Sequence, residues 1–161
     1  TPSGSAAPSA PTPAVYVRPE PPGTLVDIGG RRLHVRCAGP ANGPTVVFEA
    51  GLSQFTANGS YGKVQDMIAE FAHVCVYDRA GLAWSDAAPG PRTHDDMVDD
   101  LHRLAAAQRW PGPLVIVGHS MGGLLARRYA NRYPGQVAGV ILADATTEDV
   151  LFTPEAAEER K

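Results

Sequence analysis

Leu114 to Val117 is a short apolar, β-branched run bounded by Pro113 and Gly118, and it passes straight into Gly118-His119-Ser120-Met121-Gly122-Gly123. Helix formers then dominate from Leu124 to Tyr133, and Pro134-Gly135 closes the element. The run reads as a buried parallel strand, a kind of strand that must be covered on both faces. A Gly-x-Ser-x-Gly pattern at a strand-to-helix junction is the layout of a nucleophile elbow, where a sharp turn lifts a serine out of the backbone. The pattern is weak in a chain with 17 glycines; the strand before it and the helix after it give it weight. Gly118 and Gly122 have a steric task, because strand and helix pass too closely there for a Cβ.

Alternation of elements along the chain extends this into a fold class. Thr24 to Ile28, Gly29-Gly30 and Arg31 to Ala38 predict a hairpin on a two-residue turn. Pro44 to Glu49, with Thr45-Val46-Val47-Phe48 at its centre, predicts a third strand, ending in Ala50-Gly51-Leu52-Ser53. Val64, Met67, Ile68 and Phe71 recur at the spacing of one helix face. His73 to Tyr77 predicts a fourth strand. Thr93 is placed to cap a helix that carries Asp95 and Asp96 in its first turn and Met97, Leu101 and Leu104 on one face, to about Gln108. A last strand runs from Val137 to Ala143 and ends at Asp144. A hairpin followed by alternating strands and helices means an α/β sheet, mostly parallel, with helices on both faces. Functional groups in such sheets collect at the carboxyl ends of the strands, where Ala50 to Ser53, Ser120 to Gly122 and Asp144 all lie.

Composition narrows the functional classes. A net charge of −3 from interspersed charges, 17 acidic and 14 basic, offers no basic stripe for nucleic acid or anionic membrane. No apolar stretch approaches the ~20 residues of a membrane span. No metal-ligand spacing, phosphate loop or dinucleotide fingerprint is present, so no cofactor and no metal is expected. Residues 1–23, rich in Pro, Ala and Ser, cannot bury enough apolar surface to order themselves and read as a disordered tail ahead of a domain at 24–161. Such a leader often follows a removed export signal, so secreted and cytoplasmic locations both stay open. Cys37 and Cys75 fall in predicted strands; buried free thiols are the ordinary expectation, and a disulfide, which needs an oxidising compartment, is the sharper one.

Four segments in order, Leu25-Val-Asp-Ile-Gly-Gly-Arg-Arg-Leu-His, Phe48-Glu-Ala-Gly-Leu, Tyr77-Asp-Arg-Ala-Gly-Leu-Ala-Trp-Ser and Gly118-His-Ser-Met-Gly-Gly, resemble the α/β-hydrolase superfamily over about Leu25 to Thr147. The resemblance covers the N-terminal portion of that fold, ending after the sixth strand, so a C-terminally incomplete α/β-hydrolase domain is expected. It implies Ser120 as nucleophile, attacking an ester-like acyl substrate to form an acyl-enzyme. It implies the backbone N–H groups of Met121 and Leu52 as an oxyanion hole, with Ala50-Gly51 where many relatives have His-Gly. Asp144 is the candidate triad acid. The family order places a histidine after the serine and the acid, and no histidine follows Ser120. The chain therefore reads as part of a longer enzyme, its end from Thr153 the start of a cap or lid. An acyltransferase or cofactor-free peroxidase-like enzyme on the same fold, or a catalytically inactive binding remnant, would share these features. His119 is expected to pack or hydrogen-bond structurally rather than act as base, since adjacent residues on a tight turn point apart. Asp78 and Arg79 are expected to form a structural ion pair or brace the loop. Trp84 and Phe55 are expected in the core or at the pocket rim; His34, His73 and His102 are expected to be structural, and His94 at the surface. Oligomeric state is not legible.

Overall fold

The computed structural model describes residues 19–52 and 57–147. Six strands, β1 (Thr24–Asp27), β2 (Arg32–Ala38), β3 (Thr45–Glu49), β4 (His73–Tyr77), β5 (Leu114–Ser120) and β6 (Val137–Ala145), form one sheet in the order β1-β2-β4-β3-β5-β6. The hairpin strands β1 and β2 pair antiparallel, β2 pairs antiparallel with β4, and β4, β3, β5 and β6 run parallel. The Gly29-Gly30 turn works because both residues take left-handed backbone, at φ 93° and 91°, which side chains rarely tolerate.

The strands sort their side chains by alternation. Val47, Cys75, Tyr77, Leu114 and Ile116 face helices α2 (His94–Gln108) and α3 (Met121–Arg132), meeting Val98, Leu101, Leu104, Leu125 and Tyr129 in the main core. Phe48, Val74, Val76 and Val117 face the other way, towards Tyr61 and Ile68 of α1 (Ala57–Ala69). Both faces are thus covered, as the sequence predicts. The face chosen for α1 is a correction. Val64, Met67 and Phe71 are exposed, while Gln65 is fully buried. Its amide donates to the carbonyls of Arg36 at 2.9 Å and Val74 at 3.3 Å, so a polar residue seats this helix.

The free-thiol expectation is also corrected: Cys37 and Cys75 form a disulfide. They are direct partners in the β2·β4 ladder, a pairing that no local pattern announces. Of the predicted tail, Pro19 accepts a hydrogen bond from the Trp84 indole at 3.1 Å. Residues 1–18, Ser53, Phe55 and the segment from Thr153 lie outside the described residues.

Helix α2 starts as predicted. Thr93 caps it, and Asp96 closes a capping box by accepting from the Thr93 backbone N–H at 2.8 Å. That backbone bond first, and then the Thr93 hydroxyl, hold the Asp96 carboxyl below its ordinary value of 3.8. A depressed carboxylate pKa adds stability that is present above the unfolded value and lost as pH falls through the folded one. Asp96→Asn should therefore lower Tm at pH 7 and flatten the decline of Tm below about pH 4, read by calorimetry across a pH series.

Candidate active site

The chain leaves β3 to build β4 on one side and then returns to build β5 on the other. The carboxyl ends of β3 and β5 thus flank a topological switch point, where crevices form in open α/β sheets. Ser120 closes β5 there and holds φ 51° and ψ −126° at the junction with α3. A non-glycine residue in that region costs on the order of 1–3 kcal/mol and persists only where its surroundings over-determine it.

Glycines supply that determination. A Cβ on Gly118 would lie 2.6 Å from the carbonyl oxygen of Gly122. One on Gly122 would collide with the carbonyl oxygen of Glu49, and one on Gly123 with the Ala145 side chain. Gly51 passes so close that its Cβ would meet Ser120 Cβ at 3.1 Å and His119 Nδ1 at 3.2 Å. The ends of β3, β5 and β6 and the start of α3 therefore converge around the serine.

Beneath the Ala50-Gly51-Leu52 loop lies a buried ionic network. Arg79 donates to the carbonyls of Ala50 and Gly51, each at 2.6 Å, and to Glu49 Oε1 at 3.2 Å. The Tyr77 hydroxyl donates to the other Glu49 oxygen. Burial raises the Glu49 pKa, against the opposing pull of Arg79 and the Tyr77 hydrogen bond. Burial likewise pushes the Tyr77 phenol well above its usual range. Arg79 thus braces the loop and forms its ion pair with Glu49, while Asp78 meets His34 Nδ1 at 2.8 Å, both buried. No motif marks the role of Glu49; a lone carboxylate ending the apolar run Thr45 to Phe48 is its one signal in the sequence.

The remaining site residues fall around this frame. The exposed His119 sits with Nδ1 3.1 Å from the Tyr61 hydroxyl, whose ring stacks on Phe48. Among the described residues no histidine hydrogen-bonds Ser120. His34 pairs with Asp78, and His102 stacks on Tyr133 at 4.0 Å between ring centres. Asp144 is exposed at φ 45°, at a register shift that pairs His119 with Ala143 but Ser120 with Ala145. It is the extra residue of a bulge at the end of β6. A cleft of about 510 Å³ lies beside the turn, lined by Leu52, Ala80, Leu82, Met97 and Met121, with Arg79, Arg92 and Asp100 as its polar members. Asp100 is buried and ion-paired with both Arg31 and Arg92.

This arrangement is that of an α/β-hydrolase sheet, and residues 44–160 match the alpha/beta hydrolase fold family, to which the chain belongs. The chain is similar to the proline iminopeptidase PfmaB of Pestalotiopsis fici, at 31% identity over 121 residues, covering 73% of this chain and 42% of that protein. It is also similar to a Hormonema carpetanum protein named "Probable transporter efuK", at 31% identity over 131 residues, covering 77% of this chain and 18% of that one. Among solved structures, a thermophilic esterase from Thermogutta terrifontis superimposes with a TM-score of 0.71 at 27% identity, covering 84% of this chain and 49% of the esterase. The chain spans from 17% to 51% of the length of the first four curated relatives it matches.

Two stability tests follow from the frame. Gly122→Ala forces a methyl into the Glu49 carbonyl and should destabilise by about 1–3 kcal/mol or more, seen as a lowered denaturation midpoint. Arg79→Met strands Glu49 as a buried, uncompensated charge and should cost about 3–5 kcal/mol. Adding Glu49→Gln should restore part of that loss; a double-variant cycle showing no coupling would contradict the network.

Proposed function

We propose that this site hydrolyses ester-like acyl substrates, with Ser120 as the nucleophile that forms an acyl-enzyme. The observation that carries the reading is the backbone of Ser120. Its positive-φ conformation is held at the carboxyl end of the sheet by glycines that admit no Cβ on three sides. The relatives support it, since they include a protein named as a proline iminopeptidase and a structure described as an esterase. The cleft beside the turn has the volume of a small-molecule site, so the substrate is proposed to be a small acyl compound.

In this reading the serine oxygen attacks the acyl carbonyl and expels the leaving group, and water later releases the acid. The backbone N–H groups of Met121 and Leu52 receive the oxyanion. Arg79 supports this through the peptide planes. The Gly51 carbonyl is drawn to Arg79, and the N–H of the same planar trans peptide, that of Leu52, points the opposite way. Loss of one oxyanion donor typically costs about 10²–10³ in turnover, so the brace carries catalytic consequence. Asp144 is the proposed acid, standing at the bulge beside the serine strand. The base is a histidine that the described residues do not supply. A triad without a member retains only about 10³–10⁴-fold acceleration over water.

The test supplies the base from outside. A fluorophosphonate probe, with imidazole added as exogenous base, should label one serine, and Ser120→Ala should abolish that labelling while leaving Tm nearly unchanged. Equal labelling of the protein and of Ser120→Ala, with or without imidazole, removes Ser120 as nucleophile.

A further inference from the structure

The disulfide end of the sheet holds a second cluster, remote from the serine. His73 opens β4 while Ser120 closes the parallel strand β5, so the two lie at opposite ends of the sheet. His73, Cys75 and Cys37 bring one ring nitrogen and two sulfurs within 4.8 Å of one another. His73 and Cys75 are two residues apart on β4 and share a face, and Cys37 is the cross-strand partner of Cys75.

The histidine is oriented by its neighbours. The Thr45 hydroxyl donates to the Pro111 carbonyl at 3.3 Å, because a carbonyl can only accept. Its oxygen is then the acceptor for His73 Nδ1 at 3.0 Å, which places the ring hydrogen on Nδ1 by inference from the network. The other nitrogen, Nε2, keeps its lone pair and lies 3.8 Å from Cys75 Sγ. A closed disulfide has no use for a lone pair aimed at it. A pair of thiolates with a metal ion does, and a ligating histidine held at its far nitrogen is the usual supporting arrangement.

We propose that the reduced chain binds a soft divalent cation, Zn²⁺ in the first instance, through Cys37 Sγ, Cys75 Sγ and His73 Nε2. Two thiolates and an imidazole match the donor preference of this ion, and water completes the fourth position. Entry requires a two-electron reductant: a dithiol gives up two electrons and two protons to the Cys37–Cys75 bond and becomes a disulfide, while a phosphine does the same with one water and becomes its oxide. Each cysteine thiol then loses its proton to solvent as its sulfur takes the metal. Cys37 is half-buried and borders a groove of about 380 Å³ with Gly23, Thr24 and Gln108, the side from which a reductant would approach. Disulfide and metal are mutually exclusive, so occupancy reports the redox state. The ion would serve to hold β2 to β4 in place of the covalent bridge, with no part in the chemistry at Ser120.

The test is titration of the chain with Co²⁺ and Zn²⁺, before and after anaerobic reduction by a phosphine. The reduced chain should bind one ion and show thiolate-to-cobalt charge-transfer absorption with the intense visible bands of tetrahedral cobalt. The oxidised chain should show neither, and a disulfide-forming oxidant should release the ion. Thr45→Val should weaken binding about 10–100-fold, as loss of a supporting partner does. His73→Gln should weaken it further and alter the cobalt spectrum. A reduced chain without thiolate-to-cobalt absorption overturns the proposal, whatever its folded state. So does a His73→Gln variant with unchanged spectrum and affinity, which would mean the thiols bind by themselves.

Discussion

Everything at the serine depends on one close approach, the passage of Gly122 against the carbonyl end of β3. The Glu49 carbonyl occupies the space that a side chain at position 122 would need. That contact lets α3 begin immediately where β5 ends, and the abrupt change of direction is what drives Ser120 to φ 51°. A relaxed junction would need several more residues to turn from strand to helix and would withdraw the hydroxyl from the carboxyl edge of the sheet. Gly118, Gly51 and Gly123 are then not separate devices. Each removes a Cβ from a different neighbour of the same turn, and together they hold a conformation whose local energy is unfavourable.

The charge beneath the loop follows from the same crowding. The Ala50 and Gly51 carbonyls end a parallel strand and have no further strand to pair with in the loop, so their lone pairs need donors. Arg79 supplies two, and its own charge is offset by Glu49, which is held in turn by Tyr77. Burying such a pair gains little net stability, since desolvation of both ions roughly cancels their attraction. The return is geometric: a planar guanidinium presents its donors in a rigid fork and fixes two successive peptide planes at once. A lysine offers a point charge instead, and would not orient both carbonyls.

Much of this was legible in the sequence because it rests on local rules. The apolar run Leu114 to Val117, the glycines about Ser120, the Gly29-Gly30 turn and the Thr93 cap each report backbone geometry from a few adjacent residues, and the fold class comes from their order. What was not legible depends on strand order and on tertiary partners. Val64, Met67 and Phe71 have helical spacing, yet α1 packs through Tyr61, Ile68 and Gln65, because the carbonyls of Arg36 and Val74 need a donor that Gln65 supplies. Cys37 meets Cys75 because β2 lies beside β4 rather than beside β3, which neighbours it in sequence. Asp78 and Arg79, adjacent in sequence, leave their strand in opposite senses and find His34 and Glu49.

The bulge at Asp144 has a cause in the turn it accompanies. A parallel neighbour following β5 in strict register would lose its partner at Ser120, where the backbone leaves extended geometry. Strand β6 inserts one residue instead, at φ 45°, and re-enters the ladder at Ala145, with the Thr146 N–H donating to the Ser120 carbonyl at 3.0 Å. That bond ties the serine's backbone from the side opposite β3. Ala145 must be small, since it lies against Gly123 at the start of α3. The inserted residue is turned out to solvent, so the strain that places the serine also sets an exposed carboxylate one register step from it. A single local distortion, transmitted across a ladder, thereby positions two polar groups that lie far apart in sequence.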